Sequence, residues 1–100
     1  MSERDRYLEQ LEAKLDEWNA RIDELEARAR RAEAQARQQY LARVEELRDK
    51  RDAARGRLDE IRAASDDAWA RLKEGAEQIT ADLRRTFDDA KKAFEEGRRE

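Results

Sequence analysis

Few residues in this sequence are equipped for chemistry. Its aliphatic hydroxyls are Ser2, Ser65, Thr80 and Thr86, and it has no His and no Cys among its 100 residues. A hydroxyl attacks only when a base takes its proton; imidazole is the commonest such base, and a thiolate is the best side-chain nucleophile. Both are missing. The carboxylate doublets Asp66-Asp67 and Asp88-Asp89 raise the question of metal binding. Neighbouring residues on a helix point about 100° apart, however, and the di-metal sites of helical bundles add a His three positions after an inward Glu. Helix capping and solvated charge account for both doublets. No Gly-rich phosphate loop is present. The expectation is a protein that is not an enzyme, with no catalytic, cofactor-binding or metal-ligating residue and no cofactor.

Arg28, Arg30, Arg31 and Arg37 form the one basic cluster that suggests nucleic acid. Arg28, Arg31 and Arg37 share no clean helical face, Glu33 interrupts them, and only distant Tyr40 could stack on a base. Net charge is −3, which gives the chain no overall attraction to DNA or anionic membrane. Nucleic acid is therefore not an expected partner. Residues 1–26 carry nine acids and four bases, residues 27–63 seven and eleven, and residues 64–100 ten and eight. An acidic head beside a basic middle reads as a pairing code for helices.

The elements that must carry these charges are helices. Nearly half of the residues are charged, 18 of the 38 hydrophobic ones are Ala, and Pro is absent. That composition marks a coiled coil or long helix. Large apolar residues and Ala recur as Leu8, Leu11, Leu15, Trp18, Ile22, Leu25, Ala29, Ala32 and Ala36. Steps alternating between three and four give the seam of a left-handed coiled coil. The stripe shifts at Tyr40 and resumes as Val44, Leu47, Arg51, Ala54, Leu58 and Ile61; a displaced heptad changes supercoiling without ending a helix. Arg51 on the seam is expected to fix register at some cost in stability. Beyond Ser65 the stripe runs Trp69, Leu72, Ala76, Ile79, Leu83, Phe87, Ala90 and Phe94.

Breakers are scarce, and Gly56, Gly75 and Gly97 each cost only about 1 kcal/mol relative to Ala. The best boundary is Ala63–Ala68, where Ser65 suits an N-cap and Asp66 and Asp67 suit the positive end of a new helix. The expected fold is all-α: a long coiled-coil helix within residues 1–63 and a shorter amphipathic helix within 64–100. Folding the stripe about Ser65 sets Ile61 against Trp69, Leu58 against Leu72, Leu47 against Leu83 and Ala36 against Phe94. That pairing fits a helical hairpin in one chain or an antiparallel oligomer of two. A single continuous rod is the alternative. Neither paired arrangement covers residues 7–29. Six bare large side chains, at roughly 1.5–3 kcal/mol each, demand self-association or a partner helix. The expected oligomer interface is thus Leu8, Leu11, Leu15, Trp18, Ile22, Leu25, Val44, Leu47, Leu58, Ile61, Trp69, Leu72, Ile79, Leu83, Phe87 and Phe94.

No run approaches the roughly 18–20 apolar residues of a membrane span. The opening Met1-Ser2-Glu3-Arg4-Asp5-Arg6 lacks the layout of a secretory leader, so the expected compartment is the cytoplasm. The aromatic stripe from Trp69 to Phe94, edged by Lys73, Arg84, Lys91 and Arg98, also suits an interfacial helix that lies on a lipid surface.

Leu15-Asp16-Glu17-Trp18-Asn19-Ala20, Ala64-Ser65-Asp66-Asp67-Ala68-Trp69 and Leu72-Lys73-Glu74-Gly75 together resemble short bacterial coiled-coil domain-containing proteins. The resemblance covers nearly the whole chain and implies a bacterial cytoplasmic coiled coil, with no activity or catalytic residue to carry over. The last third is similar to phasins, which coat polyester granules, and to apolipoprotein-like helices. Two functions follow as expectations: a homo-oligomeric scaffold or adaptor acting through helix packing, or a reversible coat on a lipid or polymer surface.

Overall fold

The computed structural model describes residues 2–99, with side chains described through Glu96; Arg98, assigned above to the basic edge, lies outside the described side chains. The chain is all-α. Three helices follow one another: α1 (Glu3–Arg30), α2 (Ala34–Ala63) and α3 (Trp69–Arg99). They form a rod of 52 × 19 × 17 Å in which α2 packs against both neighbours.

Helix α1 begins where its sequence provides a reciprocal cap. Ser2 Oγ accepts from the Asp5 amide at 3.1 Å, and the Asp5 carboxylate accepts from the Ser2 amide at 3.4 Å. Two of the four unpaired amides of a helix start are satisfied in this way. The helix ends at Arg30, and Arg28 and Arg30 place positive charge on its negative end.

The long helix expected over residues 3–63 is interrupted at Arg31-Ala32-Glu33. No Gly or Pro marks this turn; residues 26–39 are distinguished only by having no large apolar side chain at all. A straight helix would gain little from that stretch and would leave the Leu-rich first third in water. Turning there costs a few backbone hydrogen bonds, each worth about 1 kcal/mol net. It covers six large side chains at roughly 1.5–3 kcal/mol each. Burial wins. The open carbonyls are partly repaired: the Arg31 amide donates to the Arg28 carbonyl at 3.2 Å and the Ala32 amide to the Ala29 carbonyl at 3.1 Å. Arg37 donates from its guanidinium to the Ala32 carbonyl at 3.2 and 3.3 Å.

The second turn falls at the expected place. Ser65 accepts from the Ala68 amide through both its Oγ and its carbonyl, and the helix proper starts at Trp69. Arg4 reaches from the start of α1 to the Ala64 carbonyl and to Asp66 at 3.5 Å, which ties this turn to the N-terminal end of the rod.

Contacts fix the directions. Arg48 on α2 meets Asp23 and Glu26 on α1, and Arg62 meets Glu12, so α1 and α2 run antiparallel. Tyr40 stacks on Phe94, and Lys50 meets Asp82, so α2 and α3 do likewise. The core forms two clusters. One gathers Trp18, Ile22, Leu25, Val44, Leu47, Leu83 and Phe94; the other gathers Leu8, Leu11, Leu15, Leu58 and Ile61 around Ala54 and Ala76. Residues 7–29 are thereby covered by helices of their own chain, which removes the need for a second chain there.

Polar residues separate the clusters. Arg51, its side chain 20% exposed, donates to Asn19 Oδ1 at 2.9 Å. On the other side of α2, Lys50 donates to Thr86 Oγ1 at 2.7 Å and pairs with Asp82 at 3.1 Å. Among the described residues, no buried side-chain polar atom lacks a partner.

Two substitutions in α2 should move stability in opposite directions. Leu47 is fully buried, so Leu47→Ala should cost about 2–5 kcal/mol. A Cβ on exposed Gly56 would meet nothing within 4 Å, so Gly56→Ala should add about 1 kcal/mol. Urea titration followed by far-UV circular dichroism measures both.

Candidate functional site

The helices do not share their contacts equally. Ala29, Ala54, Ala76 and Ala90 are all essentially inaccessible, and small residues at a helix crossing let the backbones approach. Between α1 and α3 stand larger groups. Trp18 meets Phe87 edge-on with ring centroids 5.1 Å apart, and Tyr7 meets Trp69 at 6.4 Å. These rings hold α1 and α3 apart, and the two helices touch at few points. The result is a groove of about 750 Å³ along the rod, with Leu11 and Trp18 in its floor. It continues toward the α1–α2 turn as a smaller depression of about 360 Å³.

The rims are charged and alternate in sign. Lys14, Glu17, Arg21 and Glu24 line the α1 side; Lys73, Glu77, Arg84, Asp88 and Lys91 line the α3 side. α1 and α3 run parallel, and the contacts between them join positions 62 to 69 apart in sequence, from Tyr7 with Trp69 to Trp18 with Phe87. Among the described residues no ion pair within 4.0 Å spans the groove. Arg21 instead lies along its own helix, 3.2 Å from Glu17 and 5.2 Å from the Trp18 ring centroid.

One end of the groove is closed by an aromatic corner. The Lys73 ammonium lies 5.2 Å from the Tyr7 ring centroid and 6.0 Å from that of Trp69, an arrangement that favours the cation electrostatically. Burial, aided by the Glu77 carboxylate, pushes the Tyr7 phenol above its usual range. Tyr7 is accordingly a neutral donor or acceptor at physiological pH.

The sixteen residues expected at an oligomer interface all lie in these helices. Twelve are buried; Trp69, Leu72, Ile79 and Phe87 are half-buried, and every one packs against its own chain. The aromatic stripe of α3 is turned inward in the same way. What sequence reading missed is the groove itself, because Lys14, Glu17, Arg21 and Glu24 look like ordinary flank charges until α3 is laid parallel to α1. Among the described residues, no group of three or more Asp or Glu side chains is arranged to hold a metal ion, and no helix is long and apolar enough to cross a membrane.

The strongest electrostatic knot lies on the opposite side of α1. Hydrogen bonds from Arg30 and then Arg48 hold the Glu26 carboxyl below the usual carboxylate range. Burial disfavours the Arg48 charge, but its hydrogen bonds to Asp23 and Glu26 outweigh that and raise its pKa. A carboxylate with a depressed folded pKa contributes stability that is complete above its unfolded value and fades as pH falls through the folded one. Glu26→Gln should therefore lower the melting temperature at neutral pH, and its deficit should shrink as pH drops below the usual carboxylate range. Melting curves of both proteins across that window check it. Comparison of the chain with protein-family models, with curated proteins and with solved structures finds no match.

Proposed function

We propose that this protein is a non-catalytic scaffold or adaptor that acts by helix packing, with the α1/α3 face as its docking surface. One observation carries the reading: α1 and α3 are held apart by their aromatic residues, leaving a groove with an apolar floor and charged rims along the rod. Helices laid along such a face gain register from the rim charges. The lack of His and Cys supports the non-catalytic part of the reading. A cytoplasmic, bacterial coiled-coil relative remains the kind of protein that the sequence resembles.

Coating a lipid or polymer surface through α3 is less well supported. Leu83 and Phe94 are buried against the other helices, so α3 would have to leave the bundle and expose its partners' core to water. The docking reading requires no such opening.

Site-specific crosslinking separates docking on this face from docking elsewhere. A photoreactive residue in place of Ala81, which is exposed in the groove, should give protein adducts in cells that express the chain. The same group in place of Ala42, exposed on α2, should give few. Equal labelling from the two positions, or none from position 81, would overturn the proposal.

A further inference from the structure

We infer that the occupant of the α1/α3 face is a second copy of this chain, lying antiparallel across it about a twofold axis. The inference rests on the docking reading above and names the partner for that site. A twofold axis lying in the face and perpendicular to the helices sets α1 against α1 and α3 against α3, each pair running in opposite directions. With the axis at the level of Asn19, Glu17 meets Arg21 of the second copy and Lys14 meets Glu24. Where the axis crosses α3 between residues 84 and 88, inside the span of offsets set by the contacts between the two helices, Arg84 meets Asp88. Symmetry makes each of these pairings twice. In that register the positions of Glu77 and Glu95, and those of Lys73 and Arg99, form like-charge meetings, and both fall away from the centre.

The charge of the whole rod points the same way. One end, residues 2–16 with 56–82, carries twelve acids against seven bases. The other, residues 17–55 with 83–96, carries thirteen against fourteen. A parallel pair would set two acidic ends side by side, whereas an antiparallel pair separates them by the length of the rod. Area argues for a whole copy over a lone helix. A stable interface buries about 800 Å² on each partner, and the rod presents a long side of 52 × 19 Å. A single helix about 10–12 Å wide covers only part of that width, while a second copy brings two. Closure within one chain is opposed by the Trp18–Phe87 contact that props the rims apart.

Sedimentation equilibrium from micromolar to millimolar loading tests this. The mass should rise from 11.8 kDa toward twice that value. Arg21→Glu alone sets acid against Glu17, and Glu17→Arg alone sets base against Arg21, so each variant should stay monomeric. Mixed together, the two variants should form a dimer containing one of each. Both keep like charges within their own α1 helix when mixed, so a repaired intrahelical pair cannot explain the rescue. Far-UV circular dichroism verifies that each variant stays folded. A wild-type chain that is monomeric throughout, or variants that dimerise as well alone as mixed, would overturn the second copy as occupant. If that monomer still gave adducts to other proteins from position 81, the docking reading would survive with a different partner; no adducts would remove both.

Discussion

The structure turns on the need to cover the ridge from Leu8 to Leu25. Those six large side chains are the most concentrated apolar surface in the chain, and no single unbroken helix could bury them. α2 meets the need by folding back against α1, and α3 completes the enclosure. Everything else is arranged around that covering. The turn at residues 31–33 exists because burial outweighs the hydrogen bonds it costs, and the small residues Ala29, Ala54, Ala76 and Ala90 let α2 sit close enough to seal the core.

The same economy of apolar residues produces the groove. There are only 20 large apolar side chains in the protein, too few to seal three helix–helix contacts equally well. Two contacts are made close by alanine, and the third is spanned by rings. Where rings act as struts, the flanking residues stay in water, and charge is the natural occupant of such positions. A face of this kind is stable by itself and still has unused electrostatic capacity, which is what a reversible contact surface needs.

Much of this was legible in the sequence, at particular positions. The alternation of Leu8, Leu11, Leu15, Trp18, Ile22 and Leu25 specifies which face of α1 is hidden, because heptad spacing sets direction irrespective of what lies opposite. Ser65 announces the second turn through its own capping chemistry. The first turn gives no such sign: Arg31-Ala32-Glu33 are all good helix residues, and the chain bends there for a reason that is global, the covering of distant leucines. That omission decided the rest, since an unbroken first helix appeared to need another chain to cover it. The groove was beyond reach for the same cause. Its rims belong to helices that become neighbours only after the unannounced turn. Arg51, a charged residue on the seam, bonds to Asn19 across α1 and α2.

The belt formed by Arg51 with Asn19 and by Lys50 with Thr86 has a mechanical consequence. On either side of it the two core clusters draw on separate sets of buried side chains, so cohesion at each end depends on its own contacts. Thermal loosening of one extremity need not travel through the waist to the other. Each half of the rod thus carries its own apolar core.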